Sequence, residues 1–453
     1  MAMAPESRSA TPDPSAAPTR NHGTRRTAWT VTLLVFVFML LNFADKSVLG
    51  FAGVHIMRDL GISPEQFGVV QSAFFWLFAV GALVGGALSS RIDVRWLLVG
   101  MMAVWVLTMI PLLTPVGFGV LLVSRIVLGF AEGPAYALTT HAVHSWFPAD
   151  KRAFPSGVLS SGASVGPLLA APLLAWIIAM WNWHAAFAVL IGAGLLWIVV
   201  WLVLGRKSPE AAGAGSDAGE PAAGPASEPG GHPPGQVRLA RILVTPTIIG
   251  VALLTFVGYW TTSLKVSWLP LYLEQGLGYD TATAGRLVTV PYAVAAAGAI
   301  GAGYLSNVLV ARGMTTRTAR GGLSAALIVL CGLSMYLFTA VDPGPLQMVL
   351  VTAAFSLNSA AFGVTLAIVG DLVAPGRRGV VLGCLVAFYS VAGVLAPLVL
   401  GFSIGGAASV TEGYGDGFAI SGVVIVVGAL LSIVLINPER DVAKLQQKVE
   451  VSA

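Results

Sequence analysis

Four ionisable residues stand in stretches otherwise apolar enough to cross a lipid bilayer. Asp45 and Lys46 lie in LNFADKSVLG, roughly two-thirds of the way along the first apolar stretch. Arg125 and Glu132 lie in SRIVLGFAEGPAY, in the fourth. A charge at the bilayer centre costs about 2.5–3.5 kcal/mol on insertion scales, so each needs a reason to be there. The seven-residue spacing puts Arg125 and Glu132 on one helix face, roughly 10 Å apart along the axis. If the first stretch runs outward and the fourth inward, the acid and base on each helix can meet across a central cavity. Such a set can bind an organic anion on its cations and a proton on a carboxylate. Desolvation raises a carboxyl pKa and a nearby cation lowers it, which links the two events. The plainer reading is a pair of interhelical salt bridges that only hold a bundle together; two such pairs on cavity-facing helices favour the functional one.

Other charges are less specific. Lys265, in YWTTSLKVSWLPLYL, is close enough to a helix end to snorkel to the interface, or it can face the cavity as a second substrate cation. Asp371 ends the tenth stretch beside Arg377 and Arg378 and reads as a gate or surface partner. His141 and His144 fit a solvated interface, and Trp181, Trp183 and His184 an aromatic belt. Cys331 and Cys384 both lie in apolar stretches, so no disulfide framework or metal cluster is expected. No phosphate-cradling loop, catalytic triad or zinc spacing occurs. The expectation is a non-enzyme with no cofactor and no metal.

The elements that must hold these residues follow from composition. Of 453 residues, 56% are hydrophobic and 10% charged, against about 25% charged in soluble domains. Spanning a bilayer core takes about 20 apolar residues as a helix, and the runs here are continuous rather than alternating, which excludes a β-barrel. Twelve stretches are expected near 28–51, 66–89, 95–113, 117–142, 154–178, 184–205, 246–272, 284–309, 321–341, 345–371, 379–404 and 416–437. Residues 1–27 read as a disordered cytoplasmic tail and 206–245, rich in Pro and Gly, as a flexible cytoplasmic linker. Residues 438–453 read as a cytoplasmic C-terminal tail. The linker divides the chain into six-helix halves, 28–205 and 246–437.

Topology follows from the basic residues. With both termini cytoplasmic, 20 of the 25 Lys and Arg fall in cytoplasmic segments, whereas Glu65, Glu274, Asp280, Asp342, Glu412 and Asp416 fall outside. The net charge of +4 therefore reflects topology and not nucleic-acid binding. The halves echo each other: SWFPADKRAFPSG after the fourth stretch matches DLVAPGRRGVVLG after the tenth, and GGALSSRIDVR matches GAGYLSNVLVAR. Repeated halves about a central path are the architecture of alternating access.

At these residues the chain resembles the anion:cation symporter family of the major facilitator superfamily. NFADKSVLG, SAFFWLFAVGALVGG, SRIVLGFAEGPAY, HSWFPADKRA and WNWHAAF carry the resemblance. It implies twelve helices in two halves related by a pseudo-two-fold axis. It also implies that Asp45 and Glu132 are proton-coupling acids and that Arg125 binds substrate. The family's first-helix Arg falls on Lys46, which holds a carboxylate as a point charge rather than bidentately. Phe43, Phe78 and Ala163 occupy positions where sugar-acid carriers commonly place polar contacts. In the loop after the second helix, Arg91 keeps the superfamily pattern, but Ser90 and Asp93 replace its Asp and Gly. The inner gate is thus expected from Arg91, Asp93, Arg95, Asp371, Arg377 and Arg378.

The resulting expectation is a monomeric, multi-pass inner-membrane carrier for proton-coupled uptake of a small organic anion. The apolar positions favour a less hydroxylated carboxylate, aromatic or short-chain. The alternative is proton-driven export, suggested by SSGASVGPLLAAP, whose Gly-x₃-Gly-Pro is also a helix-packing device. A non-transporting receptor is the third class.

Overall fold

The computed structural model describes residues 22–148, 151–206, 239–373 and 375–450. Among these described residues, twelve helices are long and apolar enough to cross a membrane: Arg26–Leu60 (α1), Pro64–Leu88 (α2), Val94–Leu113 (α3), Phe118–His144 (α4), Phe154–Met180 (α5), Trp183–Leu204 (α6), Pro246–Ser267 (α7), Thr281–Ala311 (α8), Arg317–Leu337 (α9), Pro345–Leu372 (α10), Arg377–Gly406 (α11) and Val410–Leu435 (α12). Among the described residues there is no strand.

Local sequence explains where these helices begin and break. α2 opens with a capping box: Ser63 Oγ accepts from the Gln66 N–H, Gln66 Oε1 accepts from the Ser63 N–H, and Pro64 fills the first turn. α4 is interrupted just after Glu132, at Gly133-Pro134. Pro134 lacks an N–H and its ring crowds the preceding turn, so the ladder cannot run through unbroken.

Much of the expected tails and linker lies outside the described residues. Where they are described, His22–Thr27 extend the first helix and Leu239–Leu243 form a short helix with Ile242 buried. The stretch read as a C-terminal tail is instead helical over Pro438–Glu450 (α13). Asn437 Oδ1 caps it by accepting from the Arg440 N–H, and buried Asp441 accepts from the N–H and Oγ1 of Thr247 at the start of α7.

Helices pack closely where glycine removes a side chain. A Cβ on Gly129 would strike the Phe74 carbonyl, one on Gly81 the Phe130 carbonyl, and one on Gly133 the Phe78 carbonyl, which brings α2 and α4 into backbone contact. Between α1–α6 and α7–α12, the close approaches cluster toward the loops that follow odd-numbered helices. Gly50 meets the Val266 carbonyl, Gly68 lies 2.8 Å from the Pro397 carbonyl, and Gly285 meets Ala175. Gln71 Nε2 donates to the Ser267 carbonyl there, at 3.3 Å. Toward the opposite, basic face, Gly86, Gly157, Gly301, Gly303, Gly379 and Gly383 have open space where a Cβ would go. The two sets of helices touch at the acidic face and part toward the basic one.

Between α7 and α8, Tyr272–Gly276 form a π-helical turn that draws Glu274 inward. Its Oε2 accepts from Thr281 Oγ1 at 3.3 Å, while Oε1 is buried without a partner. Burial raises the Glu274 carboxyl from 4.5 to about 7 against the lowering effect of that hydrogen bond. The folded state thus holds this proton more tightly than the unfolded chain.

Two outcomes follow for unfolding of the purified protein. Gly129→Leu should destabilise by at least about 2 kcal/mol through the forced α2–α4 separation, whereas Gly100→Ala, where no atom lies within 4 Å, should not. Equal melting temperatures for the two variants would refute the contact. Stability should also fall as pH rises from about 4.5 to 7, by up to roughly 3 kcal/mol from Glu274 alone, then level off. Glu274→Gln should remove that component, and identical pH profiles for parent and variant would show that it does not titrate there.

Candidate functional site

Lys46 is the centre of the site. Its Nζ lies 3.1 Å from Glu132 Oε2 on α4 and donates to Asn42 Oδ1, one turn earlier on α1, at 2.9 Å. Three phenyl rings surround the ammonium, with Phe43, Phe74 and Phe78 centroids at 4.8, 5.6 and 5.7 Å. Each ring face carries negative potential, so the cage steadies a desolvated cation. The backbone contacts at Gly129 and Gly133 determine where Phe74 and Phe78 stand. α5 sets Phe43: Gly166 approaches its Cβ to 3.0 Å and the Leu40 carbonyl to 3.1 Å.

Only one of the two expected acid–base pairs between α1 and α4 forms. Asp45 and Arg125 are each 2% exposed, yet neither has an opposite charge within 4 Å among the described residues. Among the described residues, Asn42 Nδ2, Asp45 Oδ1, Arg125 Nε and Nη2, and Glu132 Oε1 are buried with no hydrogen-bond partner. The Arg125 guanidinium stands 6.0 Å from the Phe187 ring on α6. Asp45, Lys46, Arg125 and Glu132 still lie within electrostatic reach of one another. Buried donors without acceptors are uncommon and costly, and two on one guanidinium have the geometry that a carboxylate accepts from. A lone buried carboxyl is correspondingly suited to hold a proton.

On α7, Lys265 is 3% exposed, so its side chain is enclosed by protein. Its Nζ donates to Ser359 Oγ on α10 at 3.3 Å and lies 4.8 Å from the Tyr292 ring on α8. No carboxylate lies within 4 Å of it among the described residues. Ala163 is exposed beside Gly162, which packs against Met39 of α1.

The residues expected at a gate make several contacts among the described residues. Asp93 caps α3 by accepting from the Arg95 N–H, and Arg95 Nη2 donates to the Leu202 carbonyl on α6. Arg91 is exposed, and Arg377 is half-buried at the start of α11. Asp371 pairs with Arg320 of α9. Arg378 Nε donates to the Val373 carbonyl five residues back, and Arg152 Nε does the same to the Phe147 carbonyl. The repeated basic turns thus make the same backbone clasp after α4 and after α10.

Four residues at these cations were not singled out beforehand: Asn42, Phe74, Tyr292 and Ser359. Asn42 is four residues before Lys46 and Phe74 four before Phe78, a spacing that places each pair on one helix face. Nothing local in the sequence connects Tyr292 or Ser359 to Lys265.

Removing one member of the buried pair should be costly. Lys46→Met leaves Glu132 uncompensated and should lower stability by about 3–5 kcal/mol at neutral pH, with much of the loss recovered in Lys46→Met/Glu132→Gln. A single variant that melts with the parent would show that the pair contributes nothing to the fold.

Comparison with known proteins agrees with this architecture. The family model for the Major Facilitator Superfamily matches residues 35–397. Among similar curated proteins, the D-galactonate transporter of Escherichia coli O6:H1 is 26% identical over 430 residues, 92% of this chain and 97% of its own. The hexuronate transporter of Bacillus subtilis is 26% identical over 423 residues, 90% of this chain and 94% of its own. A probable sulfoacetate transporter of Cupriavidus necator is 28% identical over 416 residues, 88% and 91% respectively. Among solved structures, an inward-facing, occupied bacterial homolog of the human lysosomal transporter Spinster superposes with a TM-score of 0.76 at 16% identity, covering 92% of this chain and 98% of that one. The chain is a membrane transporter, not an enzyme, and it belongs to the Major Facilitator Superfamily.

Proposed function

We propose that this carrier takes up a small organic anion together with protons, by alternating access. The observation that carries the reading is the unpartnered Arg125 guanidinium beside the Lys46–Glu132 pair and the lone Asp45 carboxyl. Arg125 supplies the buried hydrogen-bond donors for a carboxylate, with Lys46 and Lys265 as further attracting charges. A proton on Glu132 releases Lys46 from its pair and leaves the ammonium to the substrate. An anion on Arg125 in turn raises the proton affinity of Asp45 and Glu132 by charge alone. Each ligand then favours the other, as binding linkage requires. Relatives named for galactonate, hexuronate and galactarate/glucarate transport support an organic-anion substrate.

The excess of Lys and Arg in one set of loops supports a plasma (inner) membrane with both termini cytoplasmic. In that orientation the opening between the helix sets faces the cytoplasm, a state that releases imported substrate. Arg91, Asp93, Arg95, Asp371, Arg377 and Arg378 line the face that must close behind it. The chain works as a monomer, since the site lies within one bundle. Export by exchange gains no support from SSGASVGPLLAAP, because Gly162 and Gly166 are taken up in packing against α1.

Proteoliposomes with an inward proton gradient test the reading. The parent should accumulate a labelled carboxylate above its external concentration, and collapse of the gradient should abolish the accumulation. Glu132→Gln and Asp45→Asn should retain exchange but lose accumulation by at least about tenfold, equivalent to 1.4 kcal/mol of coupling. Undiminished accumulation by both variants would remove these acids from coupling, and accumulation driven only by an outward gradient would reverse the direction.

A further inference from the structure

We infer that the cavity selects a carboxylate carried on an aromatic ring rather than a polyhydroxylated chain; the inference rests on the organic-anion reading above. A continuous series of rings leads away from Lys46 and crosses between the helix sets. Phe78 lies 6.0 Å from Phe75 on α2, and Phe75 meets Tyr259 of α7 edge-on at 5.7 Å and 88°. Tyr259 lies 4.6 Å from Tyr389 of α11 at 33°, and Tyr389 meets Phe362 of α10 at 5.5 Å and 75°. All five rings are only half-buried. Because the series joins α2 to α7, α10 and α11, it runs between the halves and not along the lipid surface. The aromatic wall begins at the cation and ends on the opposite side of the path.

The polar side chains nearby leave few groups unspent. Asn42 Oδ1 accepts from Lys46, and Asn358 Nδ2 donates to the Gly258 carbonyl and to Thr262 Oγ1, so that among the described residues Asn42 keeps only Nδ2 and Asn358 only Oδ1 without a partner. Ser47 Oγ donates to the Phe43 carbonyl, and Ser359 Oγ holds Lys265. A hexonate brings a hydroxyl on nearly every carbon, more than these two amide groups can meet, and the rest would be desolvated against phenyl rings without a partner. An aromatic acid brings one charged end for Arg125 and Lys46 and a ring able to stack offset or edge-on within the series. Tyr259 and Tyr389 make no side-chain hydrogen bond among the described residues, so their phenolic hydroxyls remain for one ring substituent.

Equilibrium binding to the purified full-length protein, with three carboxylates of one charge, tests this. The probes are 4-hydroxybenzoate, cyclohexanecarboxylate and D-galactonate. The aromatic acid should bind at least about tenfold tighter than D-galactonate and about threefold tighter than the saturated ring, the span expected of one aromatic contact. Tyr389→Leu should erase the preference over cyclohexanecarboxylate, and Phe362→Leu provides a second variant should the first not fold. D-galactonate binding as tightly as 4-hydroxybenzoate, or tighter, would overturn the inference and leave the organic-anion reading standing. Equal affinity for the two rings, or an unchanged ratio in the folded variants, would overturn it as well. Binding of a neutral or cationic compound with none of the three anions bound would refute the reading beneath it.

Discussion

A charge held inside a bilayer must be matched by something, and at this site the matching is deliberately incomplete in physical terms. Lys46 has a carboxylate, an amide oxygen and three ring faces around it. Arg125 and Asp45, equally buried, have no opposite charge at contact distance. One satisfied cation beside one unsatisfied cation and one unsatisfied acid is an arrangement that costs stability. In the function proposed above, an anion and a proton relieve it. The same shortfall would be hard to explain in a bundle held together by salt bridges alone, where each charge would be expected to find a partner.

That arrangement depends on how closely the helices approach. Gly129 and Gly133 bring α4 against the α2 carbonyls of Phe74 and Phe78, which sets both rings over Lys46 and fixes the depth of Glu132 just before the Pro134 break. Gly166 does the same for Phe43 from α5. Gly50, Gly68 and Gly285 seat one helix set on the other, whereas Gly86, Gly157, Gly301, Gly303, Gly379 and Gly383 have no neighbour within 4 Å of a Cβ. Small residues therefore serve two ends: close contact inside the first six helices, and close seating of one set on the other.

The order of the twelve helices was legible because long apolar runs and their charged turns leave little choice of solvent or period, but their ends were not: α1 runs on to Leu60, beyond the expected 51, and α12 starts at Val410, before the expected 416. The four membrane charges were legible for the same reason, and so was the antiparallel course of α1 and α4 that lets them meet. Which acid would take which base was not, since α1 offers Asp45 and Lys46 side by side and helix rotation decides between them. The α13 helix was readable in Asn437-Pro438-Glu439, a cap followed by a first-turn proline, but its burial on Thr247 was not. The ring series is a tertiary product: Phe75, Tyr259, Phe362 and Tyr389 come from four helices far apart in sequence. The apolar character of Phe43 and Phe78 was its only local trace.

The central claim is that anion and proton bind to one linked cluster. Calorimetric titration of the purified protein with whichever carboxylate binds, repeated near pH 7 in buffers of different ionisation enthalpy, measures the protons taken up per anion bound. Linkage through Asp45 and Glu132 predicts net proton uptake on binding that shrinks in Glu132→Gln. Anion binding with no exchange of protons in any buffer would contradict it.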